Sequence, residues 1–276
     1  MKTASAVPMA WHAAANALAA PFYDGVRPLL RKLDGEAWPA LTQLNTLAAR
    51  RQVVNARGAP VRFVPPVFEA TSAMHYETRI ADTGEVPTRD NWHDLFNALQ
   101  WIAFPRLKSA LNAQHARLLE AGGTAEAFAR SAPRDVLTLF DESGVIVAST
   151  DATLLELIRH FQWRELFVAR REAAIANLRF VLVGHGLMEK SLSPFIGITA
   201  KAMLLEVDGE SASLDRAAAN WLMDDSHLAD SRRLAPLPLL GIPGWDARNE
   251  STTFYDDTSY FRAGRRRLRR GRLGKA

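Results

Sequence analysis

Apolar residues recur at nearly every third or fourth position over residues 11–18, 25–33 and 41–51, with Pro21, Gly35, Pro39 and Gly58 as breaks. That spacing predicts a helical N-terminal shell spanning 1–58. Residues 60–66 then read as extended, 75–80 alternate as a strand does, and Thr83-Gly84-Glu85 reads as a turn. Asp90 or Asn91 can cap the next helix, whose apolar face collects Trp92, Leu95, Phe96, Leu99, Ile102 and Ala103. Pro105 ends or kinks it, and helical spacing resumes over 107–119 until Gly122-Gly123. Residues 136–140 and 145–148 flank Asp141-Glu142-Ser143-Gly144, which predicts a hairpin. Residues 178–183 predict a further strand that runs into Gly184-His185 and a helix, and 201–207 fit either a strand or a helix. The expected fold is α+β: a small antiparallel or mixed sheet clasped by many helices, with a helical N-terminal part.

With 276 residues, 48% of them hydrophobic and 23% charged, the chain can bury a sizeable core. No apolar run approaches the roughly 18–20 residues that span a bilayer, and the N-terminus lacks the pattern of a cleavable signal. The absence of cysteine removes disulfides, thiolate nucleophiles and sulfur-ligated zinc, so any metal must be held by His, carboxylate or amide groups. These features together predict a cytoplasmic protein. The formal charge of +4 conceals an asymmetry. Seven of the 34 basic residues lie between Arg265 and Lys275, which leaves the body with 27 basic against 30 acidic residues. Such a tail predicts either a solvating end or a contact with nucleic acid or an anionic surface.

Candidate chemistry concentrates between residues 75 and 112. On the predicted helix, His93 and Asn97 lie one turn apart and share a face, while Leu95, Phe96 and Leu99 turn to the core. The preceding strand would bring Glu77 and Arg79 nearby, and Arg89 precedes the helix N-terminus, where unpaired amides favour an anion. A strand, turn, strand and helix presenting His and Asn is also the outline of the ββα-metal nucleases, in which only His75 could supply the catalytic imidazole. The alternative is that His93 and Asn97 cap and brace the helix. A second cluster, Gly184-His185-Gly186-Leu187-Met188-Glu189-Lys190, places His185 at a strand-to-helix junction, where the positive helix end favours the neutral imidazole. Glu189, one turn on, could join His185 or pair with Lys201 or a surface Arg. Asp141-Glu142 adds two carboxylates near strand ends, although such turns commonly satisfy backbone amides and face water, and Asp141 ranks ahead of Asp135 as a candidate. Surface or capping roles are expected for His12, His115, His160 and His227. Dinucleotide, Walker-type, nucleophile-elbow and His-Glu-x-x-His motifs are absent.

The string from Thr83-Gly84-Glu85-Val86-Pro87-Thr88-Arg89-Asp90-Asn91-Trp92-His93 through Phe104-Pro105-Arg106-Leu107-Lys108 and Leu111-Asn112 resembles the bacterial family known as domain of unknown function 3025. Arg134-Asp135, Phe140-Asp141-Glu142-Ser143-Gly144, Trp163, Leu166-Phe167, Gly184-His185 and Glu189-Lys190 continue the resemblance. The segments 236–245 and 254–257 extend it. It implies no established activity. The polar positions it marks are Tyr76, Glu77, Arg89, His93, Asp94, Asn97, Lys108, Asp141, Glu142, His185, Glu189 and Lys190, and His75 is not among them. The expected organisation is one globular domain over 1–262, made of the helical shell 1–58, a family-like core 76–200 and a C-terminal strap 236–262, followed by a basic disordered tail 263–276.

Two functions from different classes fit. The first is a hydrolase directed at a phosphoester, with His93, His185 and Asp141 catalytic and Arg89, Asn97, Lys108 and Lys190 binding substrate. A divalent metal would be held there by His93, Asp94 and Glu77. The second is a non-catalytic binding protein whose polar motifs are internal braces and whose basic tail makes the contacts. The first requires His93, His185 and Asp141 to share one cavity; the second predicts that they are scattered.

Overall fold

The structure is a computed structural model that describes residues 10–33, 37–66, 76–121, 131–209 and 213–264. The side chain of His12, the residue His75 and the basic tail from Arg265 to Lys275 lie outside the described residues. The N-terminal shell is a string of single turns, Trp11–Ala13, Ala15–Leu18, Pro21–Tyr23 and Arg27–Leu30, followed by α1 (Leu41–Arg50). The next elements are β1 (Arg62–Val64), α2 (Tyr76–Thr83), β2 (Glu85–Pro87), α3 (Trp92–Ala103), α4 (Pro105–Ala121), α5 (Ala132–Ser143), β3 (Gly144–Ser149) and α6 (Ala152–Arg159). They are followed by α7 (Arg171–Asn177), β4 (Arg179–Leu182), α8 (His185–Lys190), β5 (Thr199–Glu206), α9 (Leu214–Leu222), α10 (Asp225–Leu228) and β6 (Ala235–Pro238). The fold is α+β. Among the described residues, no helix is long and apolar enough to cross a membrane.

Four strands form a mixed sheet in the order β4-β3-β5-β6, and β1 pairs with β2 in a separate parallel pair. β3 lies between an antiparallel neighbour, β4, and a parallel one, β5. All six of its residues are buried, which is why its sequence is a continuous apolar run and does not alternate. The two faces of the sheet feed different cores. Val145, Val147 and Ala202 join the aromatic side built on the N-terminal shell, α3 and α6. Ile146, Ala148, Met203 and Leu205 pack against α4, α5 and α9. On the first side Trp92 contacts Trp11 and Trp38, and stacks on Phe96, which in turn stacks on Tyr23. Such pairs contribute about 0.5–1.5 kcal/mol each beyond their buried area. The Tyr23 hydroxyl then donates to Met188 O at 3.1 Å, which ties the shell to the back of α8.

Two expected strands are helices. Residues 136–140 lie inside α5, where Val136, Leu137 and Phe140 are buried at the i, i+1, i+4 spacing of a helix face, so the hairpin ahead of β3 does not exist. From Tyr76 onward the segment expected as the 75–80 strand is α2, which ends where Gly84, at a φ of +73°, returns its N–H to Ile80 O at 2.9 Å. Asn55 braces the same helix end by donating to Ile80 O and Ala81 O. With α2 in place of a strand, the ββα-metal outline is lost.

Candidate active site

α3 begins at the Asn91 cap, whose side chain accepts from Asp94 N at 2.8 Å. The Phe104 backbone leaves the helical region ahead of Pro105, so α4 starts afresh at an angle to α3. The amides of Arg106 and Leu107 at its N-terminus are capped by the Asp215 carboxylate from α9, at 3.2 and 2.8 Å. This break turns the buried Lys108, Asn112 and His115, spaced i, i+4, i+7 on α4, towards α2 and α5.

α5 runs into β3 with no intervening loop. A Cβ on Gly144 would lie 2.3 Å from Phe140 O, so only glycine allows the exit. The antiparallel register pairs Val145 with Leu182, which places the end of β4 beside the end of α5. The amides of Val183 and Gly184 both donate to Gly144 O, at 3.0 and 2.8 Å, and α8 starts at the next residue. α8 is thereby wedged between α3 and α5. A Cβ on Gly186 would fall 2.2 Å from Glu142 Oε2, so the bare glycine is what allows that carboxylate to lie across α8.

His93 of α3 and His185 of α8 converge, with Nε2 atoms 3.0 Å apart and ring centroids 4.4 Å apart. One nitrogen must donate and the other accept, so a single proton lies between the two Nε2 atoms when both rings are neutral. Glu142 Oε1 lies 3.6 Å from His185 Nε2 and 3.9 Å from His93 Nε2. Behind each ring stands a second carboxylate: Glu189 Oε2 is 3.3 Å from His93 Nδ1, and Asp141 Oδ2 is 3.8 Å from His185 Nδ1. His185 is 5% exposed and its Nδ1 makes no hydrogen bond among the described residues. Burial is the main cause of its pKa falling to about 4, against the pull of Asp141, so the ring is neutral at physiological pH. For Asp141, burial pushes the pKa up. The Lys108 ammonium 2.5 Å away, with His185, outweighs burial and brings it to about 2. Burial raises the pKa of Glu142 above the usual carboxylate range. The Tyr76 phenol is raised by burial and by Glu77, Asp141 and Asp94, and Asn97 donates to its oxygen at 3.1 Å.

These groups face a cavity of about 510 Å³ lined by His93, His185, Asp141, Glu142, Arg89, Asn97, Glu77 and Asp94, with Tyr76, His115 and Arg134. His93, His185 and Asp141, expected as catalytic, therefore share one space. Arg89 and Asn97 reach it too. Lys190 is exposed and does not line the cavity, and Lys108 lies behind Asp141, where it neutralises a carboxylate of the protein itself. The metal-ligand set also differs from the expected one. Both oxygens of Asp94 accept from Arg89, at 2.8 and 3.1 Å, and Glu77 Oε2 accepts from Asn112 at 2.7 Å. Among the described residues, the atoms close enough to share one cation belong to His93, Glu142 and His185. Arg79 pairs with Glu85 away from the cavity.

His115 is the clearest miss. Expected on a surface, it is 8% exposed and lines the cavity, whereas His160 is exposed beside Glu156 and His227 stacks on Trp221. The signal for it was the Lys108-Asn112-His115 stripe, which a helical projection alone cannot distinguish from a solvated face.

Residues 61–265 match the family described as "Protein of unknown function (DUF3025)", and the chain belongs to that family. No curated protein and no solved structure matches the chain.

Proposed function

We propose that this protein is a hydrolase of phosphoesters that works with one divalent cation held by His93 Nε2, His185 Nε2 and Glu142 Oε1. The observation that carries this reading is the triangle those atoms form, with sides of 3.0, 3.6 and 3.9 Å. A tetrahedral cation with bonds of ~2.1 Å has ligand-to-ligand edges of ~3.4 Å, so the three atoms need only small shifts to become three corners of one coordination shell. The carboxylates behind the rings support it: Glu189, 3.3 Å from His93 Nδ1, is placed to fix the tautomer that leaves the His93 Nε2 lone pair inward, and Asp141, 3.8 Å from His185 Nδ1, puts negative charge behind the second ring. A divalent cation there would polarise a phosphoryl oxygen and acidify water.

The charge balance supports an anionic substrate. With Asp141 paired to Lys108 and Asp94 to Arg89, the cavity keeps Glu77 and Glu142 against Arg134, and a divalent ion would turn that one-charge excess of acid into a site that attracts an anion. Asp94 holds Arg89 by its Nε and one Nη2 hydrogen, which leaves its remaining N–H groups available to a phosphate.

Metal analysis of the purified protein and thermal unfolding with added Mn, Zn, Ni or Mg test this reading beside His93→Ala and His185→Ala. A cation that co-purifies, raises the unfolding temperature of the wild type and fails to do so in either variant is the expected result. Equal cation effects in all three proteins, or two variants that merely lose stability, would sink it. Seven basic residues between Arg265 and Lys275 favour a second, compatible reading, a contact with nucleic acid or an anionic surface. Truncation after Gly264 should abolish low-salt binding to both; unchanged binding rules out the tail.

A further inference from the structure

Three buried polar side chains descend one face of α4, and two have an evident structural task. Lys108, 5% exposed, neutralises Asp141, and Asn112, 2% exposed, donates to both the backbone and the carboxylate of Glu77. His115 is the third. It is 8% exposed and lines the cavity that holds His93 and His185, and its ring nitrogens are not among the side-chain atoms sealed off without a partner. Unlike Lys108 and Asn112, which are turned onto carboxylates of the protein, it presents a proton-carrying ring to the space where a substrate would sit.

We propose that His115 is a catalytic residue of this site, the group that takes a proton from the attacking water and delivers it to the departing alkoxide. The inference rests on the hydrolase reading and adds the proton carrier that it lacks. Neither member of the His93–His185 pair can fill that role while its Nε2 serves as a cation ligand, because the lone pair is then engaged. In the step, the water oxygen bonds to phosphorus as the bond from phosphorus to the leaving oxygen breaks, and that electron pair departs with the alkoxide. One water proton passes to His115 and then to the alkoxide, so the imidazole ends as it began and no oxidant or reductant is involved. The charged groups acting on His115 are Glu77 from α2, Asp141 and Arg134 from α5, and Lys108 from its own helix. Burial, the largest effect, holds its pKa below the ordinary histidine value, which keeps it neutral and ready to accept at physiological pH.

The test compares wild type with His115→Gln on p-nitrophenyl phosphate and phenyl phosphate, with the cation that stabilises the wild type. The expected result is a kcat lower by about 10²–10³-fold with KM within about threefold and unchanged unfolding temperature and cation binding. The loss should be greater for phenyl phosphate, whose poorer leaving group needs the proton more, and added imidazole should restore part of the rate. The wild-type rate should also fall at acid pH, in a limb that the variant lacks. A kcat within about threefold of wild type, or a loss that tracks falling stability or cation affinity, would overturn the assignment. If the wild type cleaves neither ester, the hydrolase reading fails. His115 is then judged by its ring NMR signals, identified by their absence in His115→Gln, on titration with inorganic phosphate and the cation: a shift keeps it as a ligand-contacting residue, and no shift removes it.

Discussion

Two buried polar regions of this protein are built on opposite principles. In the C-terminal strap, Asn249 is 1% exposed and donates to Leu240 O and Ile242 O at 2.9 and 2.7 Å, while its oxygen accepts from Arg171 at 3.3 Å. The Tyr255 hydroxyl donates to Gly241 O, and that of Tyr260 donates to Ile198 O while accepting from Leu240 N. Around the candidate site the accounting is incomplete. Asn97 Oδ1, Gln100 Oε1, Asn112 Oδ1 and His185 Nδ1 are buried without a hydrogen-bond partner, and no atom of the strap shares that condition among the described residues. Polar groups that only hold a fold together are saturated, because each orphan costs stability. Of these orphans, Asn97 and His185 line the cavity itself, and orphans at a cavity wall are the pattern of a site whose partners include a ligand.

The sharpest way to break this contrast is Lys108→Met. It removes the partner of a buried carboxylate, and about 3–5 kcal/mol of stability should go with it, read by denaturant unfolding. Because Asp141 stands behind His185, cation affinity should also fall by about 10–100-fold in whatever fraction remains folded. A variant as stable as wild type would mean that the Lys108–Asp141 pair is not the closed pair described above. Next in size is Asn249→Ala in the strap, which strands two buried carbonyls and should cost about 2–3 kcal/mol while leaving cation affinity untouched. Reduced affinity at equal stability would show that strap and site are coupled. Gly186→Ala should act in the opposite sense. Its Cβ meets the Glu142 carboxylate, a flexible side-chain end, and lies 3.2 Å from Glu142 O, which must give by a few tenths of an ångström, so stability should fall by about 1 kcal/mol. The displaced ligand should weaken cation binding by about tenfold, measured by calorimetry.

How far the sequence revealed this arrangement depended on whether the signal was local. The Asn91 cap and the apolar face of α3 follow the helical period, and the run that forms β3 is apolar enough to demand burial on both faces, whereas β5, with Lys201 inside it and Glu206 at its end, fits either period. The first strand expected of a hairpin is instead part of α5, because Val-Leu-Thr-Leu-Phe alternates as readily as it spirals. Pro133 in the first turn and Asp135 beside it carried the helical signal. α2 was misread because six residues are too few to separate the two periods, and the arbiter was tertiary, the Gly84 cap and the Asn55 brace. At the site, His93, His185 and Asp141 were identifiable as residue types. Their convergence depends on the Val145–Leu182 register and on Gly186, neither of which periodicity encodes. Glu142 is marked by the resemblance without a role, because only the packing of α8 against α5 decides which of two adjacent carboxylates faces the imidazoles and which stands behind them.

The smallest predicted effect sharpens the contrast most, because it concerns an orphan that does not line the cavity. Gln100 on α3 is 1% exposed; its amide reaches Leu182 O at a long 3.3 Å and Met188 Sδ at 3.0 Å, and its oxygen has no partner. Gln100→Met nearly preserves the volume, loses a long bond to a carbonyl and a weak one to a sulfur, and removes a buried oxygen that has no partner. The first change costs about 0.5–1 kcal/mol and the second returns about 1 kcal/mol or more, so the net should lie within about 1 kcal/mol of zero. The same reasoning predicts a clear loss at Asn249, where every polar group is matched. If Gln100→Met unfolds by more than about 2 kcal/mol below wild type, then the Gln100 oxygen has a structural partner, a bound water for instance. Incompleteness would then no longer mark the site. If stability holds while cation affinity drops, the amide that spans α3 and α8 holds His93 and His185 at their spacing, a positioning role outside the cavity.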